Sequence, residues 1–378
     1  MTSIIILSYN TKDILSICLD SIRLHTDPGT YELIVVDNAS KDGSVEYLKQ
    51  QSDVRVIYNS ENVGFPKGCN QGLSIARGEE LLLLNSDTIV TPRWLEQLRH
   101  CLYASPKTGA VSCVTNSCSN LQQIEVPYEL PDLEGLFAFA ESFNQQDSSR
   151  WERRMKLIMF CYIFKREIYE RLGGLDERFT PGNYEDDDYS FRIWQAGYEC
   201  ILAKDTFIHH INHASFKKTD SDSRASARKF NELLTRNKKK FMDKWGVTEN
   251  FAAIGDAAYC FGEYLQAGDR VLLFDVHTGF ALLHLEQLKK DLRLMGICSN
   301  KAEYELAKLT GFDVQYCSNL GRDIWRVLPH ELDAIIAGND IALDEGAVKS
   351  LLEYVRPGGR VCYRVKQGDE YSVVYNTK

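Results

Sequence analysis

No stretch of this 378-residue chain approaches the roughly 20 apolar residues that a membrane-crossing helix requires. The longest apolar run, Leu157 to Phe164, is far shorter. The chain opens Met1-Thr2-Ser3 and turns at once into a β-branched run, which leaves no room for a secretory leader. A soluble or at most peripheral protein is expected. Cys-x-x-Cys is missing too: the 11 cysteines are scattered and odd in number, which fits reduced thiols in a cytoplasmic protein better than a disulfide framework or a zinc site. An excess of basic charge is lacking, because 44 Lys and Arg face 53 Asp and Glu for a formal charge of -9. General affinity for nucleic acid is therefore not expected, and a polyanionic ligand needs a local basic or metal site. Gly-x-Gly-x-x-Gly does not follow the first apolar strand, and no Gly-x-x-x-x-Gly-Lys-Ser/Thr occurs, so neither a dinucleotide dehydrogenase nor a P-loop enzyme is indicated. A glycine-rich, arginine-bearing loop of the kind that grips a nucleoside triphosphate is likewise missing after that strand.

What is present is a chain long enough for two domains, with 44% hydrophobic residues to fill their cores. Its most informative stretch is Glu80 to Val90, Glu-Leu-Leu-Leu-Leu-Asn-Ser-Asp-Thr-Ile-Val. Four successive leucines after Gly78 suit a strand buried on both faces. That strand delivers Asn85, Ser86 and Asp87 to its carboxyl end, where open α/β sheets bind ligands. Asp87 is a candidate ligand for a hard divalent cation that bridges to phosphate. It is equally an N-cap candidate for a helix starting near Thr91-Pro92.

Strands at Ser3 to Leu7, Leu33 to Val36, Val54 to Tyr58 and Leu81 to Leu84 alternate with helices, which predicts a parallel α/β sheet over the first hundred residues. Asn10, Asp37 and Asn62 fall at strand tips. A carboxylate such as Asp37 accepts a hydrogen bond from a pyrimidine imide and repels bare phosphate. Gly109 to Val114 predicts a fifth strand, and residues 104–150 otherwise read as an excursion over the catalytic face or a plain surface insertion. Leu157 to Phe164 predicts a buried strand, followed by a helix from Lys165 to Leu172. Glu185-Asp186-Asp187-Asp188 then opens a helix bearing Phe191 and Trp194. Negative charge in a first helical turn is favoured by the macrodipole, yet the neighbouring apolar stripe turns at least one carboxylate inward, where it could take a proton from an attacking hydroxyl. Short strands are expected at Cys200 to Ala203 and Phe207 to Ile211. The second carries His209 and His210 on opposite faces, with His213 just beyond.

Together these motifs resemble the inverting family 2 glycosyltransferases of the GT-A fold over residues 1 to about 245. Ile6-Leu7-Ser8-Tyr9-Asn10 looks like the opening strand and turn, and Val35-Val36-Asp37-Asn38-Ala39-Ser40 like the pyrimidine-binding segment. Asn62-Val63-Gly64-Phe65 with Asn70 looks like the next loop and helix. Leu84-Asn85-Ser86-Asp87 stands where the family has its Asp-x-Asp metal motif, with Asn85 at the first acidic position. Gly174-Leu175-Asp176 followed by Glu185-Asp186 is similar to the acceptor-side block. The resemblance implies Asp186 as general base with Glu185 beside it. It implies a nucleotide site of Ser8, Tyr9, Asn10, Asp37, Asn62, Gly64, Lys67, Asn85 and Ser86, and Mn²⁺ or Mg²⁺ held by Asp87 with His210, or its rival His209. The implied reaction moves a hexose from a UDP- or dTDP-sugar to a glycan or glycoprotein hydroxyl. A non-catalytic sugar-nucleotide-binding or scaffold protein is the alternative.

The basic segment Asp220 to Trp245 predicts a helix with Phe230, Leu233, Leu234, Phe241 and Trp245 as its apolar side. Its Lys238-Lys239-Lys240 is a candidate patch for the inner face of a membrane, although a solvated helix face explains it as well. The boundary is placed at 250/251. Beyond it, strands at Val271 to Phe274, Gly296 to Cys298 and Asp333 to Ala337, helices at Leu282 to Leu294 and Ala347 to Val355, and a Pro357-Gly358-Gly359 turn into Val361 to Val365 resemble a class I methyltransferase Rossmann fold. The loop Asp275-Val276-His277-Thr278-Gly279 lacks the glycine-rich turn for S-adenosylmethionine. A non-catalytic domain serving self-association or acceptor docking is expected, with a bifunctional enzyme as the other reading.

Overall fold

The structure is a computed structural model describing residues 1–211, 223–289, 291–320, 328–339, 341, 343–367 and 370–378. It divides into two compact units, Met1–Phe241 and Met242–Lys378, nine residues before the 250/251 boundary expected from sequence. His213 and the first residues of the basic segment lie outside the described residues.

In the first unit, β1 (Thr2–Ser8), β2 (Tyr31–Asp37), β3 (Val54–Tyr58) and β4 (Glu80–Asn85) form the parallel half of an eight-stranded sheet, in the order β3-β2-β1-β4. The sheet continues through β8 (Cys161–Lys165), β6 (Thr108–Val114), β9 (Glu199–Phe207) and β7 (Trp151–Arg154), with β8 antiparallel to both of its neighbours. This mixed α/β arrangement agrees with the GT-A expectation. Ile4, Ile6, Leu82 and Leu84 pack with Leu15, Cys18, Leu19 and Ile22 of α1 (Lys12–His25) in one core, as the helical spacing of those four residues predicts. Gly68 and Gly72 of the helix α3 (Phe65–Ile75) lie so close to β1 that an added Cβ would come within 2.3 Å of Leu7 and Ile5. Glycine there lets helix and sheet touch backbone to side chain.

Several sequence readings give way to the structure. Asp87 is no helix cap, since the short strand β5 (Thr88–Ile89) follows it and α4 (Trp94–Tyr103) starts only after Arg93. Leu157 to Phe164 is a strand only from Cys161; the preceding residues form a loop whose polar contacts are described below. The expected strands at 200–203 and 207–211 are instead the long β9 and a two-residue β10 (His209–His210), which pairs antiparallel with β5. The remaining helices are α2 (Ser44–Leu48), α5 (Leu133–Phe143), α6 (Arg166–Leu172), α7 (Glu185–Gln195) and α8 (Ser223–Trp245).

The second unit has a six-stranded sheet ordered β13 (Asp313–Tyr316), β12 (Arg293–Cys298), β11 (Arg270–Phe274), β14 (Leu332–Ala337), β15 (Val355–Gln367) and β16 (Glu370–Thr377), parallel except for the antiparallel β16. Hydrophobic clusters cover two faces, one around Leu273 and Leu285 and the other around Leu272 and Leu351. Its helices are α9 (Asp256–Phe261), α10 (Phe280–Leu288), α11 (Lys301–Ala307) and α12 (Glu345–Leu352). Residues 293–294, expected in a helix, belong to β12, because the apolar run continues into the sheet core. Pro357-Gly358-Gly359 does not precede a strand but bulges within β15: Leu332 pairs with Val355 and Ala334 with Arg360, and Gly358 has φ +81°.

Candidate active site

The parallel register sets Ser8 beside Asp37 and Leu7 beside Asn85, so the tips of β1, β2 and β4 lie together. Ser8 Oγ is 3.0 Å from Thr11 Oγ1, which donates onward to Ser86 Oγ at 3.3 Å. Asn10, at φ +55°, staples the loop after β1 to the loop after β2: its N–H donates to Ser40 Oγ at 2.9 Å and its Oδ1 accepts from Lys41 N at 2.7 Å. Asp37 is buried and accepts from Ser40 N through Oδ1, whereas its buried Oδ2 has no hydrogen-bond partner among the described residues. A buried carboxylate oxygen left open in this way is an acceptor awaiting a donor.

Asn38, which the sequence places in the segment after β2 without a role of its own, orders the neighbouring loop. Its Nδ2 donates to Asn62 Oδ1 at 3.1 Å, and its Oδ1 accepts from Asn59 and from Val63 N. Gly64, at φ +83°, is pressed against Thr180 and Pro181, where a Cβ would come within 2.7 Å. Lys67 is exposed on the first turn of α3, and Tyr9 is half-buried.

His210 meets Asp87. Its Nε2 is 3.2 Å from Asp87 Oδ1, and its Nδ1 is 3.0 Å from the carbonyl oxygen of Ser117. A carbonyl only accepts, so Nδ1 carries the proton, and in the neutral imidazole Nε2 turns a lone pair toward the carboxylate. Two lone-pair donors facing each other repel unless a cation or a proton lies between them. The backbone of His210 is clasped by Asn116, whose side chain both donates to its carbonyl and accepts from its N–H, and Phe160 stacks on its ring at 5.4 Å. His209 points elsewhere: its Nδ1 is 2.8 Å from Tyr128 Oη, and burial, helped by His210, pushes its pKa down to about 4. Of the two histidines, only His210 is placed against Asp87.

The acidic block is four different environments. Asp188 is fully buried and pairs with Arg192, which also donates to the carbonyls of Leu172 and Gly174. Asp187 pairs with Lys156 at 2.6 Å. Asp186 accepts from Asp187 N, and burial and then the Asp187 charge push its carboxyl up to about 7 against the opposing pull of Lys156. Glu185 is buried, its Oε2 has no hydrogen-bond partner among the described residues, and burial and then Asp186 raise its pKa well above the usual carboxylate range. Asp187 and Asp188 are thus held in ion pairs, and of the other two carboxylates Asp186, which Lys156 reaches only through its charge, is the less buried.

Two short segments connect this block with Asp87 and His210. The first contains Asn116 and Ser117 on His210, followed by Cys118, whose thiol feels the Asp186 charge. The second runs from Lys156 on Asp187, past Leu157, whose N–H donates to Ser190 Oγ, to Phe160, which covers His210 and whose carbonyl accepts from Asn85 N. The strand tips, the histidine and the acidic helix start therefore border one region. Lys156, Asn116 and Phe160 escaped sequence reading because their partners are dozens of residues away and no motif spacing marks them.

Among known proteins, the glycosyl transferase family 2 model matches residues 3–173. The putative glycosyltransferase EpsH of Bacillus subtilis (strain 168) is 33% identical over 286 residues, covering 71% of this chain and 79% of EpsH. The uncharacterized protein y4gI of Sinorhizobium fredii is 27% identical over 289 residues, covering 72% of this chain and 30% of that protein. Three of the curated relatives are spanned over only 30, 42 and 17% of their own lengths. A solved structure of the mannosyltransferase PcManGT from Pyrobaculum calidifontis, in complex with GDP-Man and Mn²⁺, aligns with a TM-score of 0.46 at 22% identity over 64% of each chain. With the family model lying within its first half, on residues 3–173, and a relative 33% identical along 79% of that relative's length, the chain belongs to glycosyl transferase family 2.

Proposed function

We propose that this chain is an inverting, metal-dependent glycosyltransferase that moves a hexose from a UDP- or dTDP-sugar to a hydroxyl of a glycan or glycoprotein acceptor. The observation that carries the reading is the Asp87–His210 pair, a carboxylate oxygen and an imidazole nitrogen 3.2 Å apart with the other imidazole nitrogen against a carbonyl oxygen. An oxygen beside an imidazole nitrogen fits Mn²⁺ better than the oxygen-preferring Mg²⁺, the other ion the family resemblance implies, and Asp87 and His210 would hold the ion. When bound, the ion neutralises the departing diphosphate. The chain's own residues supply the rest. Asp37 Oδ2 accepts the imide N–H of a uracil or thymine, and Asn10, Asn38 and Asn62 fix the loops around it. Asn85 and Ser86 extend the nucleotide wall, and Gly64 and Lys67 border it. Asp186, with its pKa near neutrality, takes the proton of the acceptor hydroxyl as that oxygen attacks the anomeric carbon. Glu185, whose pKa burial and the Asp186 charge raise, stands beside it with a buried oxygen turned to no described partner.

For the second unit we propose a non-catalytic, methyltransferase-like role. Its strand order supports that reading, and the loop after β11 carries Asp275 and His277 in place of a glycine turn. The reaction is tested by screening nucleotide sugars for release of nucleoside diphosphate with Mn²⁺. Release from one uridine or thymidine donor is expected, with loss of the Mn²⁺ dependence in Asp87→Asn. Failure of every donor in the presence of a broad acceptor panel would leave only the non-catalytic binding reading.

A further inference from the structure

The second unit holds a cluster that glycosyl transfer does not use. Asp275, His277 and Glu303 each bring one ligand atom within 4.8 Å of the other two. Asp275 and His277 follow the end of β11 in left-handed conformations, at φ +53° and +48°, with buried Val276 between them. Glu303 is fully buried on α11, with Oε2 3.0 Å from His277 Nδ1. Its other oxygen accepts from both the N–H and the hydroxyl of Thr248. Ser299 donates to Asp275 Oδ1 at 3.1 Å.

Asp275 and His277 also line a cleft with Gly255, Gly338 and Asn339 at the tips of β11 and β14. The strand order reverses direction between these two strands, as it does where open α/β sheets take their ligands. Gly338 is needed there, since a Cβ would come within 2.9 Å of the Phe274 carbonyl oxygen.

We infer that Asp275, His277 and Glu303 form a binding site for a divalent transition-metal ion of the zinc class, with a fourth position open to the cleft. Ligand bonds of about 2.1 Å place neighbouring donor atoms roughly 3 to 3.5 Å apart, and the His277–Glu303 pair already has that spacing. The Asp275 carboxylate lies within 4.8 Å of both. One imidazole with two carboxylates suits Zn²⁺ or Co²⁺ better than Ca²⁺ or Mg²⁺, which prefer oxygen alone. The Thr248 and Ser299 hydrogen bonds orient the carboxylates as outer partners of a metal site do. Nearby Cys298 donates its thiol to the carbonyl of His277 and is no ligand.

The test uses the full chain carrying Asp87→Asn, so that the first unit's centre contributes nothing, titrated with Zn²⁺ by calorimetry and with Co²⁺ by absorption. One equivalent with micromolar or tighter affinity is expected, with a cobalt ligand-field band and no thiolate charge-transfer band. Adding Asp275→Asn, which leaves the His277–Glu303 hydrogen bond in place, should weaken binding by at least about tenfold. Absence of binding, unchanged affinity in the Asp275→Asn chain, or a thiolate band would each overturn the site. The last would assign the metal to cysteine.

Discussion

Asp186 is the residue on which turnover should depend most sharply. Asp186→Asn is expected to lower kcat by about 10² to 10⁴, the usual share of a general base, with little change in nucleotide affinity. Because the carboxyl titrates near 7, kcat/KM should rise with pH through about 7 in the parent chain, and that limb should vanish from the residual activity of the variant. The sign for stability is the opposite. The folded chain keeps a proton on Asp186 that the unfolded chain releases at the ordinary carboxylate pKa, so stability falls as pH rises between that value and about 7. Asp186→Asn should therefore raise Tm relative to the parent at about pH 8, and the difference should shrink toward about pH 4; an equal difference at both would disprove the assignment. The histidines separate in the same manner. His210→Ala should abolish the response to Mn²⁺, whereas His209→Ala should leave that response and cost stability on the order of 1–3 kcal/mol by stranding Tyr128 Oη. Asp37, Asp87 and the two histidines could be singled out from sequence because polar residues at the ends of apolar runs betray strand tips, whereas Asp186, in the first turn of α7, stands out from its acidic neighbours only through the family resemblance. Asn38 and Lys156 could not, since each acts through a partner brought close only by folding.

Among the elements, α8 shows what an apolar stripe conceals. Sequence marks Phe230 and Phe241 as equals on its buried side, yet Phe230 remains exposed while Phe241 is fully buried against Phe179, Tyr184 and Phe191. Between them Asn237, a polar residue that the stripe leaves out, is fully buried and donates to the carbonyls of Phe179, Gly182 and Asn183. Those carbonyls belong to the turn before α7, where Asn183 and Tyr184 both have positive φ and aim Glu185-Asp186. Asn237→Ala should cost on the order of 2–3 kcal/mol in urea unfolding by leaving buried carbonyls unpaired. It should also lower kcat more than it changes the KM for donor. A loss confined to stability, with kcat intact, would reduce Asn237 to a packing residue. The same contrast explains the misread loop before β8. Leu157, Met159 and Phe160 are as buried as strand residues, so hydrophobicity reads correctly, but their backbone and Lys156 bond to the site instead of to a neighbouring strand.

At the scale of the whole chain, alternation of strand and helix made both α/β units legible, because period and punctuation are local. Strand order is not local: the antiparallel insertion of β8 beside β4, and β16 at the edge of the second sheet, depend on pairings that no single stretch encodes. The proposed division of labour can be tested across all of it by hydrogen exchange. A uridine or thymidine diphosphate with Mn²⁺ should slow exchange in peptides spanning Ser8–Thr11, Asp37–Lys41, Asn62–Phe65 and Asn85–Asp87, the four strand-tip loops whose side chains interlock. Ligand binding to the native state lowers the population of local openings, so protection should grow with ligand in excess of its Kd. Peptides between Arg270 and Ala337 should not respond to that mixture. Zn²⁺ alone should protect the ends of β11 and α11 instead. Protection of the second unit by the nucleotide would mean that the cleft at β11 and β14 is the nucleotide site, and the tips of β1, β2 and β4 would then need another ligand.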